Sequence, residues 1–416
     1  MRLQELKLDD FKAIESADIN FGGKSTIIFG INGTGKSTVL RSINLLYANI
    51  INQIVNRKEL KQSYAIQLED IRYGARETQI SAVFDIKGEC IEYGRRMVRN
   101  TGKKYENKEG IRRISEIFHN EYVSDEIQGD IPIFANYGTN RLVLDIPLRI
   151  RTHHTFDIYS SLEKAIENKI DFRTFFEWYR NQEDYENEKK IEMSDLDYKD
   201  KSLEAVRIAI SSMLDECSNL RVVRKPRLEM KIDKGAISVN VTQMSDGEKC
   251  TMALFGDLAR RLTLANPNKS NPLLGEGVDE IELHMHPAWQ RKVLKKLKST
   301  FPNIQFIITT HSPIVLSEAD DDYNLLYTHM VNNNIEINSV GRVDGYDISA
   351  VLEQFMGTKS VNEKTEKHIH AMYKDIQNGD YAGATNKIEQ LASITSENHP
   401  DVIMARMELA KRRKGK

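Results

Sequence analysis

Gly30-Ile31-Asn32-Gly33-Thr34-Gly35-Lys36-Ser37-Thr38 is the stretch on which the fold turns. It satisfies the pattern G-x-x-x-x-G-K-[ST], with Gly30, Gly35, Lys36 and Ser37 in the required places. The run before it, Ser25-Thr26-Ile27-Ile28-Phe29, reads as a buried strand. The run after it, Thr38 to Leu46, has helical spacing, with Leu40, Ile43, Leu45 and Leu46 to one side. Strand, glycine loop and helix in that order are the context that makes a motif match a site. Glycine lets the backbone wrap a polyphosphate, so that its N–H groups and the helix N-terminus point at the anion. In that arrangement Asn32, Gly33, Thr34, Gly35 and Thr38 form the cradle. Lys36 reaches the β- and γ-phosphates of ATP, and the Ser37 hydroxyl holds Mg²⁺. A plain glycine-rich turn would require neither all the specified positions nor both flanks, so the sequence predicts nucleotide binding.

Composition sets wide limits around that loop. A chain of 416 residues is long for one core, so two or three subdomains are expected. With 40% hydrophobic and 29% charged residues it has the make-up of an ordinary globular protein. A net charge of −2 argues against general affinity for nucleic acid and leaves room for a local basic patch. Cys90, Cys217 and Cys250 are too few and too scattered for a disulfide framework or a zinc site, which suits a reducing cytoplasm. The N-terminal residues form no apolar signal core, and no run of about 18 apolar residues occurs, so no membrane association is expected.

Along the chain, alternating apolar residues from Leu3 to Phe21 read as paired strands leading into the phosphate-loop strand. A helix continues from Leu45 to about residue 59. Ile71–Gly74, Gln79–Ile86 and Glu89–Tyr93 read as strands, and Arg95–Glu109 as an exposed loop. Ile131–Gly138 is a short strand ending in a turn, and Tyr137, Gly138 and Arg141 are placed near the nucleotide. From about 142 the character changes. Phe172, Phe175, Phe176, Trp178 and Tyr179 fall at helical spacing, as a packing stripe rather than a ligand platform. Strands return at Arg221–Arg224, Leu228–Met230 and Ile237–Val241. A helix opens at Met244–Lys249, where Ser245 and Glu248 form a capping box. Ala288–Leu297 reads as a helix, Gln305–Thr310 as an apolar strand ending at His311, and helices follow from about 361. The expected organisation is an N-terminal half (1–141), an inserted helical subdomain (142–220), a C-terminal half (221–345) and a helical tail (346–416).

Four signals stand in one order: the phosphate loop, Ser-x-Gly-Glu before a helix, Asp279-Glu280, and His311 after an apolar strand. Together they resemble the ABC-type ATPase head, an α/β fold with a mixed sheet and flanking helices. The opening residues are similar to its recombination-repair branch. The resemblance implies that Ser245, Gly247 and Glu248 form the signature that meets the γ-phosphate held by a second subunit. It implies that Asp279 is linked to Mg²⁺, that Glu280 polarises the attacking water, and that His311 senses the γ-phosphate. The chain departs from the family at one place. Only Val278 stands between Gly277 and the acids, about three residues short of the usual apolar run, or about 10 Å of strand. Three explanations stay open: a strand rebuilt from Leu273 onward, ATP binding without efficient turnover, or residues missing from the sequence.

Longer stretches carry a closer resemblance: DEIELHMHPAWQRKVL, IPIFANYGTNR, FRTFFEWYRNQEDYENE and ISAVLEQFMGT with YKDIQNGDYAGATNKIEQL. They resemble the ATPase subunit of Septu-type antiphage defence systems, including retron-linked ones. That resemblance implies a sensor or scaffold ATPase, a homodimer or higher even-numbered oligomer, working with a separately encoded HNH nuclease. DNA, or a retron reverse transcriptase with its RNA/DNA, are further candidate partners. Alternatives are a DNA-repair ABC ATPase or a nuclease of the overcoming-lysogenisation-defect type without its catalytic domain. His284 and His286, two apart, read as structural and dimer contacts rather than zinc ligands. The basic run Lys411–Lys414 reads as a solvated terminus.

Overall fold

The computed structural model describes residues 1–55, 64–121, 123–124, 127–128, 130–138, 154–168, 170–282, 287–341, 343, 348–357 and 363–414. They belong to two compact units, Met1–Gly345 and Tyr346–Lys416. Arg141, His284 and His286, to which the sequence assigned roles, lie outside the described residues.

The first unit opens with β1 (Arg2–Phe11), β2 (Ile14–Asn20), β3 (Ser25–Phe29) and α1 (Lys36–Ile54). Then come β4 (Glu77–Ile86), β5 (Glu89–Val98), β6 (Lys104–Glu106) and α2 (Lys108–Glu121). The short strands β7 (Val123–Ser124) and β8 (Ile127–Gln128) precede β9 (Ile133–Tyr137). Helices α3 (Phe172–Glu192) and α4 (Lys201–Met213) lead to β10 (Cys217–Val223), β11 (Glu229–Lys234) and β12 (Ile237–Asn240). The chain continues through α5 (Asp246–Ala265), β13 (Gly277–Glu282), α6 (Pro287–Gln290), α7 (Val293–Thr300) and β14 (Ile304–Thr310). It closes with α8 (Pro313–Ser317), β15 (Tyr323–Val331) and β16 (Asn334–Val340).

A five-stranded antiparallel sheet has the order β2-β1-β4-β5-β6, and a six-stranded mixed sheet the order β16-β15-β3-β14-β13-β9. In β1 the period of two sends Leu6 and Leu8 inward, and an irregularity between Leu3 and Glu5 brings Leu3 to the same side. β3 is buried throughout, as a central parallel strand covered on both faces must be. α1 covers one face of the mixed sheet: Tyr47 packs on Phe134 of β9 and on Phe84 of β4. The other face carries α5, tied to β9 by the Tyr137–Asp257 hydrogen bond. On α3 the stripe Phe172, Phe175, Phe176, Trp178 and Tyr179 is buried, as the sequence predicts, and Phe175 lies against Gly256 of α5.

Several local readings change. The stretch read as an exposed loop from Arg95 continues β5, turns into β6 and starts α2, whose buried Ile111, Ile114 and Phe118 supply the apolar face. Ile71 makes only an isolated bridge to Phe11. The helix read over 288–297 is two, with a break between Gln290 and Val293.

The second unit holds α9 (Ile348–Phe355), α10 (Glu363–Asn378), α11 (Tyr381–Ile394) and α12 (Pro400–Lys414). Met372, Ile376, Ile388, Leu391, Val402 and Leu409 form its core. At the basic end Arg412 pairs with Glu408 and Arg413 donates to Tyr381 O, so these side chains cap and brace the bundle.

Candidate functional site

The phosphate loop leaves the carboxyl end of β3, in the middle of the mixed sheet, where parallel α/β sheets place their ligands. Gly35, with φ +89°, caps α1 without any side-chain hydrogen bond, so the helix N-terminus is open to an anion. Gly30 is required sterically: φ is +151°, and a Cβ there would lie 2.1 Å from Thr328 O. Thr34 shares a hydrogen bond with Thr328 Oγ1 at 2.7 Å, and Ile335 packs on Gly35. These β15–β16 residues shape the loop across almost 300 positions of sequence, and no motif announces them.

Within the loop, Lys36 is buried and folds back, its Nζ donating to Gly30 O at 3.0 Å and Ile31 O at 2.7 Å. Asn32, Gly33 and Ser37 are exposed, and Thr38 is half-buried. His311 follows β14, and its Nδ1 lies 3.0 Å from Gly30 O. The sequence-predicted loop and switch histidine are therefore together. Behind them, Arg41 on α1 holds the fully buried Asp70 through two hydrogen bonds of 2.6 and 2.8 Å, with Lys12 at 3.7 Å. Lys12 also borders a cavity of about 680 Å³ with Leu68, Tyr73, Arg72 and Asn333. Arg41 is five residues, or about 7.5 Å of helix, beyond Lys36.

Asp279 and Glu280 are placed differently from the sequence expectation. Pro272–Leu274 is a short 3₁₀ turn, so the strand is not rebuilt from Leu273; it begins at Gly277 and draws both acids into the sheet. Glu280 is level with Ile307 and Thr26, three residues below Phe29, and Asp279 lies one step lower still. That is about 10 Å short of the loop. Their exposures are 0% and 1%, and the pleat turns them to opposite faces. Glu280 faces α1, where Asn44 Nδ2 donates to it at 2.9 Å. Burial, and then the neighbouring Asp279, push the Glu280 carboxyl well above its ordinary pKa, with Asn44 opposing. Asp279 faces the α5 side with Tyr137, which donates to Asp257 at 2.8 Å. Burial raises the Asp257 pKa, but Arg261 and Arg260 more than reverse this and hold it well below the carboxylate range.

At the signature, Ser245 is exposed and caps α5 in the predicted box: its N–H and Oγ both meet Glu248 Oε2, at 2.9 and 2.8 Å. Lys234 holds the other Glu248 oxygen at 2.6 Å. Burial raises the Glu248 pKa, but Lys234 and the Ser245 hydrogen bonds together outweigh it and keep the carboxyl below its ordinary value. Gly247 is covered by the ring of Trp289, a contact without sequence signal. For Mg²⁺, the exposed Ser37 hydroxyl fits as a ligand; the sheet-buried Asp279 does not.

The family model described as "AAA domain, putative AbiEii toxin, Type IV TA system" matches residues 25–317. The chain is 30% identical over 388 residues to the retron Ec83 probable ATPase of Escherichia coli, covering 77% of this chain and 70% of that protein. It is 22% identical to the Septu protein PtuA of Bacillus thuringiensis, across 89% and 92% of the two chains. Among solved structures it is similar to an SMC head bound to the C-winged helix domain of ScpA. The TM-score is 0.50 at 16% identity, over 82% of this chain and 98% of that one. That likeness shows the fold: an α/β ATPase head with a mixed sheet and flanking helices. Among the described residues no helix is long and apolar enough to cross a membrane.

Proposed function

We propose a specific working role for this chain, which belongs to the AAA-domain family described as a putative AbiEii toxin of type IV toxin–antitoxin systems and is an ATPase of the Septu and retron-associated class. It is the ATP-binding subunit of an antiphage defence system, and it turns over ATP slowly. One observation carries the reading: β3, the glycine loop and the uncapped α1 form a phosphate cradle with Lys36 inside it. On binding, the triphosphate takes the Lys36 ammonium from the carbonyls of Gly30 and Ile31. Amides from Asn32 to Thr38 and the α1 N-terminus meet its oxygens. The nucleoside end extends toward the cavity bordered by Lys12, Leu68, Tyr73 and Asn333.

The Ser37 hydroxyl would hold Mg²⁺, which when bound would supply neutralisation of the phosphate charge. Slow turnover follows from the burial of Glu280, which lies too deep in the sheet to orient a water at the γ-phosphate. The exposed Ser245, with Gly247 and Glu248, meets the γ-phosphate held by a second copy, so ATP joins two subunits and reports nucleotide to a separate HNH nuclease.

Equilibrium dialysis of labelled ATP tests the site. Lys36→Ala is expected to lower affinity at least tenfold, and unchanged binding by that variant would end the assignment. Ser245→Arg is expected to leave ATP binding by the monomer intact while abolishing ATP-dependent dimerisation in light scattering. Dimerisation at wild-type level would exclude the shared site.

A further inference from the structure

Gly247 is pinned from within its own chain. A Cβ at that position would lie 2.3 Å from Trp289 Cζ3 and 3.1 Å from Cη2, so the six-membered ring sits directly on the signature backbone. Trp289 belongs to α6, and the residues after it are fastened to the segment that follows β14. Ser312 Oγ donates to Gln290 Oε1 at 2.7 Å, and Arg291 pairs with Glu318 at 3.1 Å. Ser312 is the residue next to His311, whose Nδ1 lies 3.0 Å from Gly30 O. A line of contacts thus runs from the first glycine of the phosphate loop through His311, Ser312, Gln290 and Trp289 to Gly247.

We propose that Trp289 is a positioning residue that carries the state of the phosphate loop to the signature turn of the same chain. The inference rests on the reading that residues 30–38 bind ATP, and goes beyond it by joining the chain's two half-sites. The Gly30 carbonyl now holds Lys36 and His311 together. When phosphate takes Lys36, the hydrogen bonding of that carbonyl changes, and His311 re-seats. Ser312 follows through the backbone and shifts the donor that fixes Gln290. The Trp289 ring moves with α6, and Gly247 cannot keep its place under a displaced ring, because a dense contact of this kind has few intermediate arrangements. The glycine is therefore needed to accept an indole as well as to open a helix toward an anion.

Trp178 and Trp289 are the two tryptophans, and Trp178 is fully buried on α3. A Trp178→Phe variant leaves Trp289 as the only indole. Its emission is followed during ATP–Mg²⁺ titration while dialysis measures binding in parallel. The expected result is an emission change that saturates with the binding curve and loses at least half its amplitude in Ser312→Ala. Trp289→Ala is expected to weaken ATP-dependent dimerisation at least tenfold while monomer affinity for ATP stays within twofold, and Trp289→Phe to restore it. Bound ATP with unmoved Trp289 emission overturns the relay alone. No bound ATP overturns the site reading and the relay with it. If Trp178→Phe does not fold, ¹⁹F resonances of fluorotryptophan in the native sequence give the same readout, with Trp289 assigned by its loss in Trp289→Phe.

Discussion

Glu280→Gln separates two incompatible roles for one carboxyl. The side chain is 1% exposed; Asn44 donates to one oxygen, and the other has no hydrogen-bond partner among the described residues. Burial first, and then Asp279, raise its pKa far above the ordinary value. In the unfolded chain the same group ionises near pH 4.3. Below that value both states hold the proton, and Glu280 exacts no pH-dependent cost. Above it, the folded state keeps a proton that the unfolded state releases. Stability then falls as pH rises toward the raised pKa, by about 1.4 kcal/mol per pH unit. Glutamine has nearly the same shape, can keep the Asn44 hydrogen bond and carries no charge. Calorimetric melting of the two proteins should therefore coincide near pH 4 and diverge through neutral pH, the variant melting higher by about 1 °C per kcal/mol. Taking the difference between the two profiles removes every other titrating group. Parallel profiles, or a variant less stable at neutral pH, would refute the buried neutral acid. So would loss of Lys36-dependent ATP hydrolysis with an unchanged melting curve, which would put Glu280 at the phosphate.

Three further expectations follow from the same geometry. Gly30→Ala places a methyl 2.1 Å from Thr328 O and should lower both the melting temperature and the ATP affinity, the latter at least tenfold, about 1.4 kcal/mol; dialysis at wild-type affinity would contradict it. Asp257→Asn leaves Arg260 and Arg261, each 3% exposed at the side chain, without their carboxylate and should cost about 3–5 kcal/mol in urea unfolding. Because the folded Asp257 pKa is depressed, its contribution is present above the ordinary carboxylate pKa and fades as pH falls through the depressed one, so the two curves should converge in acid. Arg41→Ala strips the fully buried Asp70 of its bidentate partner, with Lys12 left at 3.7 Å, and should destabilise by about 2 kcal/mol. Unchanged unfolding would mean that the pair is not closed in solution.

Local patterns were readable wherever one element carries its own reason. The Ile-Ile-Phe run that ends Ser25–Phe29, the glycine spacing after it and the Ser245–Glu248 box each fix geometry within a few residues. The aromatic stripe of α3 announced a buried helix for the same reason. The helix α2 was missed although Ile111, Ile114, Ile117 and Phe118 fall at helical spacing and are the side that is buried, because the basic and polar residues before it read as one continuous loop. The depth of the acidic pair in the sheet was not legible because a motif carries no register.

Sequence by itself determined the class of fold and the place of the phosphate loop, since a strand, a glycine turn and a helix start are all written in contiguous residues. Tertiary structure alone decided that Thr328 and Ile335 mould that loop, that Trp289 lies on Gly247, and that Asp279 and Glu280 are drawn below the sheet's edge onto opposite faces. The physical reason is that parallel strands pair by hydrogen bonds between distant segments: where β13 starts relative to β14 sets the depth and facing of every side chain on it.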